Sequence, residues 1–246
     1  MATTSKIEWT QQTWNPTVGC TKVSAGCKNC YAETMAVRLK AMGTKGYENG
    51  FKLTLLPERL DEPLRRKKPT VYFVNSMSDV FHGKVPFSYI DQIFQTIRDT
   101  PQHTYQMLTK RADRLAEYFQ TRTPPDNAWI GVSVENRRHG LPRIDALRKV
   151  PAHVRFLSVE PLLESLGEMD LTGIHWVIVG GESGPNARPM KLEWLEEVRR
   201  QCDRAGVAFF FKQWGGWGLD GQRRSKKSNG RQLHGRTWDE MPVFAG

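Results

Sequence analysis

Six apolar runs of strand length alternate along the chain with amphipathic stretches of helical length. The runs are Thr70–Asn75, Thr104–Thr109, Ala128–Val134, Val154–Val159, Trp176–Gly180 and Val207–Gln213. They are rich in Val, Ile, Phe, Tyr and Trp, and several are nearly continuous, as expected of parallel strands covered on both faces. A shorter first strand through Thr13–Val18 leads into a loop of cysteines. Between the strands, Ser88 reads as an N-cap with Asp91 three residues later, ahead of Ile90, Ile93, Phe94 and Ile97 on one face. Leu192, Leu195, Val198, Cys202 and Ala205 form a second stripe that Gly206 ends, which makes Cys202 a small core residue. Further helices are predicted over Tyr31–Met42, Ala112–Phe119 and Leu141–Val150.

Repeated βα units predict an α/β fold with a parallel sheet, as a complete or partial (β/α) barrel of TIM type. A flat doubly wound sheet is the alternative, but no glycine-rich dinucleotide or phosphate-loop fingerprint follows any strand. No internal repeat or low-complexity linker interrupts the pattern. The chain therefore reads as a barrel domain over 1–215 and a basic, Gly-rich extension over 216–246 packed on it.

In a barrel, chemistry gathers at the C-terminal ends of the strands. Each predicted strand here runs out into polar residues: Asn75-Ser76-Met77-Ser78-Asp79, Thr109-Lys110-Arg111, Ser133-Val134-Glu135-Asn136, Ser158-Val159-Glu160-Pro161, Gly180-Gly181-Glu182-Ser183-Gly184 and Lys212-Gln213-Trp214. Such clusters would converge on one mouth, with Glu160, Glu182 and Lys212 as candidate catalytic groups. The competing reading is a ring of Glu–Lys and Glu–Arg pairs that closes the barrel top without catalysis. Paired glycines at 180 and 181 allow either close approach to a ligand or only a tight turn.

Composition changes the picture in two respects. With 39% hydrophobic residues in 246, the chain can bury a substantial core, so disorder is not the default. The formal charge of +10 points to an anionic partner, nucleic acid first. The charge concentrates in Arg65-Arg66-Lys67-Lys68 and between Gly221 and Trp238, a stretch without acids that holds Arg223, Arg224, Lys226 and Lys227. These four are the candidate phosphate contacts, with Trp214 or Trp217 as a stacking surface. No run is long enough to cross a membrane and Met1–Lys6 lacks an apolar stretch, so a cytoplasmic protein with reduced thiols is expected.

Reduced thiols make the loop Gly19-Cys20-Thr-Lys-Val-Ser-Ala-Gly-Cys27-Lys-Asn-Cys30-Tyr31 a candidate metal or cluster site. Thiolates suit iron–sulfur clusters, zinc and copper(I). Three ligands rather than four leave a coordination position open, as catalytic sites do. A zinc knuckle without catalysis remains the alternative, with His82 or His139 as the fourth ligand. A zinc hydrolase or deaminase using Glu182 or Glu160 as base ranks below it, because the His-x-Glu signature is missing.

The cysteine loop, Tyr31 directly after its third thiol and the strand-end clusters resemble the phage-associated three-cysteine-motif family, whose members are similar to radical S-adenosylmethionine enzymes. Trp14-Asn15-Pro16, Gly180–Gly184, Phe211–Gly215 and Gly235–Pro242 share in the resemblance. It implies that Cys20, Cys27 and Cys30 hold a 4Fe–4S cluster whose free iron binds S-adenosylmethionine. It also implies an external one-electron reductant of flavodoxin or ferredoxin type. A nucleic-acid or nucleotide-like substrate joins these implications on the strength of the charge. The Gly-Gly-Glu that binds the methionine amine ends the second strand in that superfamily, whereas here it ends about the sixth. Methionine recognition therefore falls either to Gly180, Gly181 and Glu182 or to Asn75, Ser76 and Ser78 at the second strand. Ser133 and Asn136 stand where the superfamily places a ribose or carboxylate contact.

Overall fold

The structure, a computed structural model, describes residues 3–5 and 7–243. In chain order the elements are β1 (Thr3–Thr4), β2 (Gln12–Trp14), β3 (Thr17–Val18), α1 (Tyr31–Ala41), β4 (Thr54–Leu55), β5 (Val71–Val74), α2 (Phe87–Arg98), β6 (Thr104–Thr109) and α3 (Ala112–Tyr118). They continue with β7 (Ala128–Ser133), α4 (Arg137–Arg148), β8 (Val154–Val159), β9 (Trp176–Gly180), α5 (Leu192–Ala205), β10 (Ala208–Gln213) and α6 (Lys226–Asn229). The strand order is β1-β2-β5-β6-β7-β8-β9-β10, with β2 and β5 to β10 parallel. This is the α/β topology of a partial (β/α) barrel.

Burial explains why these runs pair in parallel. Every residue of β7 and β9 is buried, and so is all of β8 except Arg155, so these strands are covered on both faces. The described residues divide into two compact units. The first is bounded as Met1–Val23, Cys30–Gly131 and Lys149–His153, the second as Ser24–Asn29, Val132–Arg148 and Val154–Gly246. The cysteine loop is divided between them, with Cys20 and Cys30 in the first and Cys27 in the second.

In the first unit, Gln12, Thr13 and Trp14 pair with Tyr72, Phe73 and Val74, and β5 pairs in turn with β6. The expected first strand over Thr13–Val18 is two strands instead. Pro16 lacks an N–H and interrupts the ladder, and Thr17–Val18 then pairs antiparallel with Thr54–Leu55. Helix α2 begins at Phe87, so Ser88 is not its N-cap; Pro86, extended at φ −61° and ψ 144°, holds that position. Asp91 is drawn away from any capping role by the Tyr118 hydroxyl and the Arg122 guanidinium, each at 2.7 Å.

In the second unit, β8, β9 and β10 pair in register from Phe156, Trp176 and Ala208. Helix α4 starts at Arg137 rather than Leu141, because the Asn136 carboxamide accepts the His139 N–H at 3.0 Å. Helix α5 ends at Gly206 in the left-handed conformation, φ 63°, and Cys202 on its inner face is fully buried, its thiol pushed up to about 12 by burial.

Residues 238–240 lie along β10, whose outer edge no other named strand covers. The Phe211 N–H donates to the Trp238 carbonyl at 2.9 Å, and the Glu240 carboxylate accepts from the Phe209 N–H at 2.9 Å. The Trp176 indole donates to the Glu240 carbonyl at 2.8 Å. Polar groups of an edge strand need such partners. The proposed extension over 216–246 runs past the described residues at 244–246, and Met1, Ala2 and Lys6 of the N-terminal stretch also lie outside them. No helix among the described residues is long and apolar enough to cross a membrane.

Candidate functional site

The polar run after β5 braces the chain that leads to Cys20. Asn15 Oδ1 accepts the Met77 N–H at 3.0 Å and the Ser76 hydroxyl at 3.2 Å. Asn75 sits at φ 59°, a left-handed conformation that asparagine tolerates better than most residues, and its carboxamide donates to the Thr17 hydroxyl at 2.5 Å. The Ser78 hydroxyl donates to the Gly19 carbonyl at 2.6 Å, while the Gly19 N–H donates to the Met77 carbonyl at 3.0 Å. Gly19 is itself left-handed at φ 80°, and a Cβ there would strike the Lys52 carbonyl. Asn75, Ser76 and Ser78 thus bond residues 15–19, immediately before the first thiol. The Tyr31 hydroxyl donates to the Ser76 carbonyl from the far side of the loop.

Cys20 itself is half-buried and meets a cation. Arg111 Nη2 lies 3.7 Å from its sulfur and donates to the Thr21 carbonyl at 3.0 Å and the Thr21 hydroxyl at 2.9 Å. Burial raises the Cys20 thiol above its ordinary value and the Asp79 charge adds to this, while the Arg111 bond and charge pull the other way. His82 Nε2 is 3.0 Å from the Thr21 hydroxyl, and its Nδ1 accepts the Lys84 N–H at 3.1 Å. Burial, then Arg111, lowers His82 below the usual imidazole range. An open cavity of about 740 Å³ runs beside Cys20 and Thr21, walled by Phe51, Leu53 and Leu55 with Lys52 and Lys84 at its margin.

The later part of the loop is tied within the second unit. The Ser24 hydroxyl donates to Glu135, whose carboxylate is fully buried and paired with Arg143 Nη1 at 2.6 Å. Arg143 Nη1 also donates to the Ser133 carbonyl at 2.8 Å. Arg188 reaches the Ala25 carbonyl at 3.0 Å and grips Glu182 through two nitrogens, at 2.5 and 2.8 Å. Asn29, between the second and third cysteines, donates to Glu182 at 3.0 Å and to the Asn186 carbonyl at 2.8 Å. Asn136 is engaged by His139.

Glu182 therefore titrates abnormally. Burial works to raise its carboxyl, but the Arg188 side chain and N–H, with Asn29, outweigh burial and hold it below the usual carboxylate range. A depressed folded value contributes stability that is present above the unfolded value of about 4.3 and is lost as pH falls through the folded one. The gap in urea stability between wild type and Glu182→Gln should stay level from neutral pH to about 5 and narrow below about 4.3. A gap that widens on acidification would contradict this sign.

The remaining strand-end candidates also meet partners. Lys212 Nζ pairs with Glu160 Oε2 at 2.6 Å, whereas Glu160 Oε1 is buried with no hydrogen-bond partner among the described residues. Each of Glu135, Glu160 and Glu182 thus sits in an ion pair. Both glycines of Gly-Gly-Glu are explained by neighbours in the chain. A Cβ at Gly181 would collide with the Trp214 carbonyl, and one at Gly180 would crowd the Glu160 carboxylate.

Cys20, Cys27 and Cys30 are free and half-buried. Three such thiols within eleven residues are the donor chemistry of a thiolate-held cluster, and an arginine N–H aimed at the first suits a sulfur that bears charge. Among the described residues, no three His, Cys, Asp or Glu side chains stand close enough together to hold a metal ion. His139 bonds Asn136, and His82 bonds Thr21, the residue directly after Cys20.

In the basic stretch, Arg223, Lys226 and Lys227 are exposed, whereas Arg224 pairs with Asp220 at 2.6 Å, one residue before the acid-free segment. Trp214 is only 3% exposed, packs edge-on against Phe211 and donates to the Gln232 carbonyl, so it offers no stacking face. Trp217 keeps part of its surface while donating to the Ala187 carbonyl. Sequence reasoning passed over Asn29, Arg143 and Arg188, and it named Arg111 only as part of a polar cluster. The one signal available for Asn29 was its place between two cysteines.

The fold is similar to that of spore photoproduct lyase. A single-residue variant of that protein aligns with TM-score 0.54 and 12% identity over 87% of this chain and 79% of the lyase chain. The lyase complexed with dinucleoside spore photoproduct aligns at TM-score 0.47 and 14% identity, and this chain spans 64% of its length. A double variant with bound AdoMet and dinucleoside spore photoproduct aligns at TM-score 0.46 and 13% identity. No curated protein matches the chain in sequence. The match of residues 4–242 to the family described as Protein of unknown function (DUF5131) shows that the chain belongs to that family.

Proposed function

We propose that this chain is a radical S-adenosylmethionine enzyme acting on nucleic acid or a nucleotide-like substrate. The observation that carries this reading is the three-thiol loop, which follows β2 of a partial (β/α) barrel by way of the short strand β3 and is braced within both units. The ligand classes follow those that spore photoproduct lyase binds, AdoMet and a dinucleoside. Cys20, Cys27 and Cys30 would hold a 4Fe–4S cluster. When bound, such a cluster supplies an open iron for the methionine amine and carboxylate and the electron that cleaves the sulfonium.

The chain's own residues do the positioning. Asn75, Ser76 and Ser78 fix the approach to Cys20, while Glu182, with Arg188 and Asn29, fixes the stretch between Cys27 and Cys30. Ser133 and Asn136 stand at the end of the strand that delivers Glu135. Glu160 Oε1, without a hydrogen-bond partner among the described residues, is a buried acceptor suited to a donor group of cofactor or substrate. Lys212 Nζ holds the other oxygen of that carboxylate at 2.6 Å.

Protein purified without oxygen should be brown, with about four iron and four sulfide per chain. It should form 5′-deoxyadenosine from S-adenosylmethionine and dithionite. A colourless protein holding one zinc sinks the proposal. Replacing Arg223, Arg224, Lys226 and Lys227 with glutamine should weaken binding of a single-stranded oligonucleotide. The salt slope should fall by about 0.7 for each phosphate that the variant no longer neutralises. Because Arg224 is already paired with Asp220, it should contribute less than the other three. Unchanged binding and slope would remove the tail from the substrate site.

A further inference from the structure

We propose that Arg111 is a positioning residue that sets the reduction potential of the group held at Cys20, an inference that rests on the iron–sulfur reading above. One guanidinium nitrogen, Nη2, faces the Cys20 sulfur at 3.7 Å and both oxygens of Thr21 at about 3 Å, so the side chain is aimed at the loop. It is only 16% exposed, and its acidic neighbour Asp79 only 10%. A charge so poorly screened by water acts strongly on an adjacent sulfur.

The position of the guanidinium is fixed from behind. Asp79 Oδ1 accepts the Thr109 hydroxyl at 2.7 Å and the Phe81 N–H at 2.9 Å, and Oδ2 accepts the Lys110 N–H at 3.2 Å. That same Oδ2 lies 3.8 Å from Arg111 Nε, and the Arg111 N–H donates to the Thr109 hydroxyl at 2.9 Å. Arg111 Nε is nevertheless buried without a hydrogen-bond partner among the described residues. A fold seldom leaves a buried donor orphaned, and a redox role is one of the explanations for such a group. Here the orphan Nε accompanies an outer nitrogen turned toward Cys20 and Thr21.

Reduction of a thiolate-held cluster adds one electron from an external donor, with no bond made or broken and no proton required. The reduced form carries one more negative charge. An N–H donor and a fixed positive charge at a ligand sulfur favour that form and raise the potential. Lysine supplies a comparable charge but not the planar fork that spans Cys20 and Thr21 at once.

Wild type, Arg111→Gln and Arg111→Lys, purified without oxygen, should be compared by iron and sulfide content and by a dithionite titration followed by electron paramagnetic resonance. All three should load iron and sulfide. Arg111→Gln should be about tenfold harder to reduce at a fixed potential, about 59 mV for one electron, and Arg111→Lys should fall between. A loaded Arg111→Gln protein that titrates at the wild-type potential overturns the inference. If Arg111→Gln fails to fold by circular dichroism, Arg111→Lys decides: a lowered potential supports the inference and an unchanged one overturns it. Wild-type protein devoid of iron and sulfide would instead overturn the iron–sulfur reading itself, and the inference with it.

Discussion

Replacing any one of Cys20, Cys27 and Cys30 with alanine is expected to reduce iron and sulfide content, and 5′-deoxyadenosine formation with it, to background. Cys202→Ala is the matched control. That thiol is fully buried on α5, far from a thiolate's chemistry, and its removal should leave cluster content unchanged. It should cost only the modest stability of a small buried side chain. The measurement is iron and acid-labile sulfide per chain on protein prepared without oxygen. The expectation fails if a single loop cysteine proves dispensable, because a three-ligand cluster has none to spare. Zinc held by the wild type and lost from all three variants would point instead to the knuckle reading.

Arg143→Met is expected to be the most destabilising of the charge substitutions. Glu135 has no exposed side-chain surface and Arg143 has 9%, so removing the arginine deprives a carboxylate held out of water of its close cation. Breaking a buried pair in this way costs about 3–5 kcal/mol. Urea unfolding should register that destabilisation, and Arg143→Met combined with Glu135→Leu should recover most of it, since a pair replaced by apolar residues of similar size is often near neutral. A double variant no more stable than Arg143→Met would show that Glu135 does more than balance Arg143. Its bond to the Ser24 hydroxyl, at the start of the Cys27 turn, is where that further role would lie.

These two experiments address features of different legibility. The loop thiols and the parallel strands follow from local pattern. Continuous apolar runs such as Trp176–Gly180 can be satisfied only by covering both faces of a strand. The α5 stripe points Cys202 inward whatever α5 packs against, and Gly206 ends the helix because a left-handed residue is needed there. In each case a few neighbouring residues carry the whole determinant.

What the charged and polar residues do was decided elsewhere in the chain. Asn29 finds Glu182 153 positions away, Ser24 finds Glu135 across 111, and Arg111 reaches Cys20 across 91. Nothing in the sequence around an arginine distinguishes one solvated at the surface from one pressed against a thiol. Even a short-range case depends on the fold: Arg188 meets Glu182, only six residues before it, because the intervening loop folds back. Likewise Ser88 has the composition of a cap while Pro86 has the backbone for one, and Trp214 has the chemistry of a stacking platform but lies buried against Phe211. Periodicity tells which face of an element is apolar, because burial rewards every residue on that face alike. The pairing of a charge depends on the one partner that chain closure brings within a few ångströms, and that is a property of the tertiary fold alone.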